Sequence, residues 1–152
     1  MSNKFPYNFL SKAEINSIKQ QISEIEKSTS GEIVVSIKQK RNFLEKNKSV
    51  FELARKEFAK FKVANTEKST GVLIFILVKD KQFYIMPDNK ILKAVEENFW
   101  YKLAEQMLEK FRSNNFIEGL SECIEKIGDV LKVHFPVTPN DKNELPDDIR
   151  FN

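Results

Sequence analysis

Seven successive apolar residues, from Val72 to Val78, constrain the fold of this chain more than any other feature of its sequence. A run of this kind, bounded by polar residues, is typical of a strand that is covered on both faces. A polar corner at residues 79–82 and a second short apolar run ending at Pro87 follow it. The stretch therefore predicts a buried central strand and an antiparallel neighbour.

The turn of this hairpin decides its register. If Asp80 and Lys81 are the two central turn residues, Asp88 arrives opposite Leu73. Because lysine is not the glycine that such a turn favours, a looser four-residue corner is the alternative. In either case Asp80 and Asp88 lie at opposite ends of the sheet, so we do not expect them to share one compact site.

A second strand and a helix precede the hairpin. Residues 32–38, EIVVSIK, carry apolar side chains on both faces, as a doubly covered strand does. Ser49 and Glu52 have the spacing of a capping box at the start of a helix. The order strand, helix, strand predicts a parallel pair of strands joined by a crossover.

Further helices are predicted on either side of this unit. Ser11 and Glu14 have the spacing of a capping box. The apolar stripe of that first helix is Ile15, Ile18, Ile22 and Ile25. Residues 89–133 have a helical pattern in two pieces, which residues 114–115 separate, and the first piece is open to a break near Asn98. The stripe of that first piece is Leu92, Val95, Phe99, Leu103, Met107 and Phe111.

One fold class buries all these apolar stripes at once. It is an α/β domain with three α/β/α layers, in which about four helices flank a small mixed sheet. The sheet consists of the β-α-β crossover and the antiparallel hairpin.

Length and composition predict one domain in a reducing compartment. The 152 residues form a core without a staple, with residues 1–136 as the domain and residues 137–152 as a polar tail that is extended or mobile. Cys123 is the only cysteine, which excludes an internal disulfide. The amino-terminal sequence has no signal-peptide core, and no apolar run approaches the roughly 18 to 20 residues that span a bilayer. We therefore expect a cytoplasmic protein without membrane insertion.

The charges are unevenly distributed. Nine basic and three acidic residues lie between Lys38 and Lys62, a difference of six in a chain whose net charge is +3. Such a segment suits nucleic acid or an anionic surface, with a solvated face as the alternative. No aromatic residue is expected to alternate with these bases on an exposed surface, so we do not expect nucleic-acid binding.

Few residues carry recognisable chemistry. The four glycines cannot supply a P-loop or a dinucleotide-binding fingerprint. We interpret His134, the only histidine, as a helix-terminal residue and Cys123 as a half-buried structural thiol. Trp100 and Tyr101 suit ligand stacking, but we interpret them as core residues of an amphipathic helix.

Three carboxylates are the remaining candidates. Glu32 opens the first strand and Asp88 closes the return strand of the hairpin, so both are expected near Gly71. Asp80 is expected at the other end, where the parallel strands finish. Because hard cations prefer oxygen ligands, Glu32, Asp88 and Asp80 are predicted ligands of Ca²⁺ or Mg²⁺. The structural alternatives are a solvated strand start for Glu32, a helix N-cap for Asp88 and a turn residue for Asp80.

A series of short motifs spans roughly residues 10–150 in a fixed order. Its members are Ser30-Gly31-Glu32-Ile33-Val34-Val35, Ala54, Phe58, Thr66, Thr70-Gly71-Val72-Leu73-Ile74, Asp88, Phe99-Trp100, Met107, Phe111, Glu118-Gly119-Leu120, Ile124, Ile127-Gly128, Leu131, Phe135-Pro136 and Asn143-Glu144-Leu145-Pro146-Asp147. Their order and spacing resemble the TPM domain family. The resemblance implies a Rossmann-like α/β/α domain.

The resemblance also has functional implications. TPM domains are associated with photosystem repair, receptor modulation and membrane-linked roles, and divalent-cation binding and acid phosphatase activity have been ascribed to some of them. Glu32, Asp80 and Thr66 match the commoner family pattern. Residues 87–91, Pro-Asp-Asn-Lys-Ile, replace a Gly-Tyr-Gly-Leu-Glu-like segment of many members. No part of this sequence resembles the signal peptide or membrane anchor that many members carry.

We therefore expect a non-enzymatic binding or accessory domain that takes up Ca²⁺ or Mg²⁺, with an unidentified protein partner compatible with this role. Two carboxylates without a strong general acid or base suit binding better than turnover. One alternative is a metal-assisted phosphatase in which Asp80 or Asp88 activates water. A second is electrostatic nucleic-acid binding through Lys46 and Lys48.

Overall fold

The structure, a computed structural model, describes residues 10–63, 69–137 and 149–151. Within these ranges the helices are α1 (Lys12–Glu26), α2 (Val50–Val63), α3 (Asn89–Ala94), α4 (Glu97–Arg112) and α5 (Phe116–His134). The strands are β1 (Glu32–Lys38), β2 (Gly71–Leu77), β3 (Gln82–Pro87) and β4 (Ile149–Phe151). This order of elements confirms the predicted α/β fold class.

The four strands form one mixed sheet in the order β3-β2-β1-β4. β1 runs parallel to β2 and to β4, and β3 runs antiparallel to β2. Helices α1, α4 and α5 pack on one face of the sheet and α2 packs on the other. β1 and β2 are therefore buried along nearly their whole length, which confirms the prediction of two doubly covered strands.

Strand β4 lies in the segment that the sequence assigned to a tail. It pairs with β1 from Val35 opposite Ile149 to Ile37 opposite Phe151, and Ile149 is buried. Three residues are too few to show the alternation that predicts a strand. Residues 138–148 lie outside the described part of the chain, so the prediction of an extended or mobile segment is not tested there.

The hairpin register differs from the one that a two-residue turn would give. Residues 78–81 form a four-residue corner between β2 and β3, which confirms the alternative. Lys81 has a φ of 52°, but a type I′ turn needs a positive φ at both central residues. The shift of two residues leaves every side chain on its expected face, yet it brings Asp88 beside Gly71 instead of Leu73.

The predicted starts of the first two helices are confirmed. Ser11 is the N-cap of α1, and the reciprocal capping box with Glu14 is present. The amide of Glu52 donates to the hydroxyl of Ser49 at the start of α2 (3.1 Å). In the described ranges no helix is long and apolar enough to cross a lipid bilayer.

The first helical piece after residue 89 is two helices. The chain leaves helical geometry at Val95, three residues before the expected break at Asn98. Because the break shifts the apolar face of α3, Ile91 is buried and Leu92 is 52% exposed, so the prediction of Leu92 as a core residue is wrong. The other stripe residues in α4 are buried or half-buried as expected.

Helices α1 and α5 approach closely at Gly128. A Cβ added at this glycine would lie 2.8 Å from Cδ1 and 3.0 Å from Cγ2 of Ile25, one of the four buried isoleucines of α1. The predicted stripe of α1 is thus buried against a helix that has no side chain at the point of contact.

We expect Gly128→Leu to lower the free energy of unfolding by about 1–3 kcal/mol or more, because the new side chain has no space beside Ile25. Asp129→Leu, at an exposed position of the same helical turn, is the control and should change stability by less than about 0.5 kcal/mol. Chemical denaturation measures both variants. Equal losses in the two would contradict the close approach of α1 and α5.

Candidate functional site

The parallel pair of β1 and β2 gives the sheet two ends of different character. Both strands begin at the amino end, where Glu32 pairs with Gly71, and finish at the carboxyl end, where Lys38 pairs with Leu77.

Glu32 and Asp88 lie on either side of Gly71. Glu32 is the ladder partner of this glycine, and the amide of Asp88 donates to its carbonyl (2.8 Å). Alternation along the strands directs Glu32, like Val34, and Asp88, like Met86, toward the face that α2 covers. Since neighbouring strands are about 4.8 Å apart, about 9–10 Å separates the Cα atoms of Glu32 and Asp88.

Both carboxylates are buried, with Glu32 6% and Asp88 4% exposed. The interpretation of Glu32 as a solvated strand start is wrong, because β1 is an internal strand that is covered on both faces from its first residue. The N-cap interpretation of Asp88 is confirmed, since its Oδ1 accepts a hydrogen bond from the amide of Asn89 (2.7 Å). A carboxylate has about four acceptor sites, so capping α3 is compatible with other contacts of the same side chain.

In the described ranges no three His, Cys, Asp or Glu side chains converge on one point. A cation between Glu32 and Asp88 would have two carboxylate ligands among the described residues. Thr70 lies at this end, where its carbonyl accepts from the amide of Glu32 (3.1 Å) and its hydroxyl donates to the carbonyl of Ser30 (3.4 Å).

Glu26 is a carboxylate at this end that the sequence analysis did not select. It is the last residue of α1, and its Oε2 accepts a hydrogen bond from the amide of Ile33 (2.8 Å). This bond ties the end of α1 to the start of β1. No spacing rule relates an acidic residue at a helix end to the strand that follows, so this hydrogen bond could not be predicted from the sequence.

A groove of about 890 Å³ runs along the outer side of β3 and reaches Asp88. Helix α2 forms one wall and helices α3 and α4 form the other. The large apolar residues of its lining include Phe51, Phe58, Tyr84, Leu92, Trp100 and Tyr101. Tyr101 is 66% exposed, so its interpretation as a core residue is wrong; β3 is the outer strand of the described sheet and leaves this side of α4 uncovered.

The outer edge of β3 presents polar groups to the groove. Because Asp88 and Gly71 form a hydrogen-bonded pair, alternation directs the peptide groups of Phe83 and Ile85 away from β2. Pro87 also lies at a position whose peptide group points away from β2. Because proline has no N–H, it removes no hydrogen bond to β2 at this position. The Nε1 of Trp100 is also buried and has no hydrogen-bond acceptor among the described residues.

Asp80 lies at the carboxyl end, in the corner between β2 and β3, which confirms its turn interpretation. Nη1 of Arg41 is 2.5 Å from Oδ2 of Asp80, and Arg41 also donates to the side chain of Gln82 and the carbonyl of Lys48. The role of Asp80 as a cation ligand stays a prediction, and a cation there would compete with the guanidinium of Arg41.

The loop after β1 is organised by Glu45, which is 5% exposed. Asn42 and Glu45 form a reciprocal capping box around a 3₁₀ turn at residues 43–45, and Nζ of Lys38 is 3.1 Å from Oε1 of Glu45. Burial acts to raise the pKa of Glu45, but the backbone hydrogen bond from Asn42 and the ammonium of Lys38 outweigh it and hold this pKa below its ordinary value. The Asn-x-x-Glu spacing was a capping signal that could have identified this residue.

Cys123 and His134 have structural positions. Cys123 is 2% exposed, more buried than predicted, because α5 turns it toward the core formed with α1 and α4. Burial raises the pKa of Cys123 to about 12, so the thiol stays protonated at neutral pH. His134 is the last residue of α5, as expected.

Comparison with known proteins identifies the class of this fold. The TPM domain profile matches residues 5–130 of the chain. The chain therefore belongs to the TPM domain family, as its motifs indicated. No curated protein matches the chain.

The solved structures that are similar to this one include two determined by NMR. The NMR structure of the BA42 protein from the psychrophilic bacterium Bizionia argentinensis has a TM-score of 0.84 and 35% sequence identity, and the match covers 100% of both chains. The NMR structure of the amino-terminal domain of a protein from P. gingivalis has a TM-score of 0.67 at 19% identity, covering 84% of this chain and 79% of that one. At this identity, the similarity to the P. gingivalis domain shows only that the two proteins share a fold.

We expect Glu45→Gln to lower the free energy of unfolding at pH 7 by about 1–3 kcal/mol, because it removes a buried charge that pairs with Lys38. The folded-state pKa of Glu45 is depressed, so its contribution is complete above the unfolded pKa of about 4.3 and is lost as pH falls through the folded value. The difference between wild type and variant should therefore shrink below about pH 4.

Denaturant unfolding over this pH range measures the effect, and the exposed Glu96→Gln is the control. A stability difference that stays constant down to the acid limit would show that the charge of Glu45 is not what stabilises the loop.

Proposed function

We propose that this TPM domain is a non-enzymatic binding or accessory domain that takes up Ca²⁺ or Mg²⁺ between Glu32 and Asp88. The supporting observation is a pair of buried carboxylates on one face of the sheet, on either side of Gly71. The glycine between them has no side chain to fill the space. Two metal–oxygen bonds of about 2.4 Å, together with the Glu and Asp side chains, can bridge the distance between the two strands.

The groove along β3 supports binding in preference to turnover. Asp88 lies in its lining, so the groove gives a solvent path to the carboxylate of Asp88. The described residues of its lining include the carboxylates of Asp88 and Glu97 but no Ser, His, Cys or Lys side chain that would serve as a nucleophile or proton carrier. An apolar groove with a few polar groups suits a bound ligand, and the outward peptide groups of β3 suit an extended protein segment added as a strand.

A calcium or magnesium titration followed by backbone amide NMR shifts tests the cation site. We expect saturable shifts at Gly31–Ile33, Thr70–Val72 and Asp88–Asn89, the residues that surround the two carboxylates. Asp88→Asn should weaken binding by about tenfold or more, since a neutral amide replaces a carboxylate ligand. An asparagine still caps α3, so the loss would not come from unfolding of that helix.

Asp80→Asn is the matched control, because it makes the same chemical change at the opposite end of the sheet. It should leave cation affinity unchanged. Saturable shifts that cluster at Asp80, or their absence at the Glu32 end up to millimolar cation, would overturn the proposal.

Hydrolysis of a generic phosphate ester separates binding from the phosphatase alternative. We expect no turnover above the buffer rate with either cation present. Turnover that requires the cation and disappears in Asp88→Asn would replace the proposal with metal-assisted hydrolysis.

A further inference from the structure

The most exposed large apolar side chains of the described residues lie next to each other. Phe43 is 88% and Leu44 is 85% exposed, at the 3₁₀ turn that follows β1. We call this pair the 43–44 tip. It stands at the carboxyl end of the sheet, opposite Glu32 and Asp88.

The 43–44 tip is held by bonds on both sides. Asn42 and Glu45 cap the turn reciprocally, and buried Glu45 is anchored to Lys38. Arg41 donates to the carbonyl of Lys48 (2.8 Å) and so closes the loop around the tip. These contacts hold the backbone of the turn in place while both apolar side chains stay exposed to solvent.

Free positive charge surrounds the tip. The carboxylates of Glu45 and Asp80 are paired with Lys38 and Arg41. Five exposed lysines at this end have no ion-pair partner among the described residues: Lys40, Lys46, Lys48, Lys79 and Lys81. The carboxyl end of the sheet therefore presents exposed basic side chains around two exposed apolar ones.

We propose that the 43–44 tip docks reversibly on an anionic lipid bilayer. Phe43 and Leu44 enter the boundary between headgroups and acyl chains, and the surrounding lysines contact the anionic headgroups. This contact is made at the surface and needs no spanning segment. It is independent of the cation site, which lies at the other end of the sheet.

The same features favour lipid over nucleic acid. The exposed Phe43 among the bases shows that the expected absence of an aromatic residue there was wrong, because the capping box turns this ring outward. A single-stranded nucleic acid, however, is bound by aromatic platforms along a basic groove. Here one exposed ring lies beside the aliphatic Leu44. An aliphatic side chain is stabilised by burial among acyl chains, whereas it has no ring to stack on a base.

Cosedimentation with vesicles tests the proposal. The full chain should bind vesicles of phosphatidylglycerol and phosphatidylcholine and should dissociate from them as the salt concentration rises. It should not bind vesicles of phosphatidylcholine alone. The double variant Phe43→Ser/Leu44→Ser should weaken binding by about tenfold or more, as should Lys46→Glu/Lys48→Glu. Circular dichroism should show all variants folded, because every changed side chain is exposed.

Two matched variants at the amino end serve as controls. Val133→Ser removes an apolar side chain that is 76% exposed, and Lys93→Glu/Lys132→Glu reverses two exposed charges. Both should bind vesicles like wild type. The proposal would be overturned if the Phe43→Ser/Leu44→Ser variant bound vesicles as tightly as wild type. It would also be overturned if the protein bound a single-stranded oligonucleotide through Phe43 and did not bind the vesicles.

Discussion

The parallel pairing of β1 with β2 is the constraint on which the rest of the structure depends. Both strands are apolar on both faces, so each must be internal in the sheet and covered by helices on two sides. A parallel pair also places the starts of both strands at one end and their finishes at the other. The acidic and basic groups of the loops are thereby sorted to opposite ends of one sheet.

The hairpin corner then decides what the amino end contains. A four-residue corner places Asp88 at the ladder position of Gly71, in line with Glu32 on the neighbouring strand. With a two-residue turn Asp88 would have stopped opposite Leu73, farther along the strand and away from Glu32. The geometry of residues 78–81 therefore sets the spacing of two carboxylates at the far end of the hairpin.

The sequence predicted those parts of the fold that are encoded in long periodic patterns. The isoleucine stripe of α1 and the apolar runs of β1 and β2 each repeat over several residues, and each is buried as expected. Strand β4 has three residues, and its place depends on pairing with β1, a long-range contact that leaves no local pattern. The break at Val95 was expected three residues later, because the apolar residues there fit more than one helical face.

The positions of the candidate site residues in the fold were predicted in part for the same reason. The order and direction of the strands bring Glu32 and Asp88 to one end of the sheet and Asp80 to the other. The topology was therefore sufficient to predict which of these carboxylates lie at the same end. Burial of Glu32 and exposure of Phe43 were not predictable from residue type, since a carboxylate is ordinarily exposed and a ring ordinarily buried. Both reversals depend on tertiary contacts, the covering of β1 in one case and the capping of the loop by Glu45 in the other.

We propose that the amino end of the sheet, and not the carboxyl end, provides the oxygens that bind a cation. Paramagnetic relaxation by substoichiometric Mn²⁺, which takes oxygen ligands as Mg²⁺ does, reports directly on distance from the bound ion. The expected result is amide broadening centred on Gly71 and extending to Glu32 and Asp88, with amides near Asp80 unaffected. Broadening centred on Asp80, or spread evenly over the exposed carboxylates, would contradict the claim.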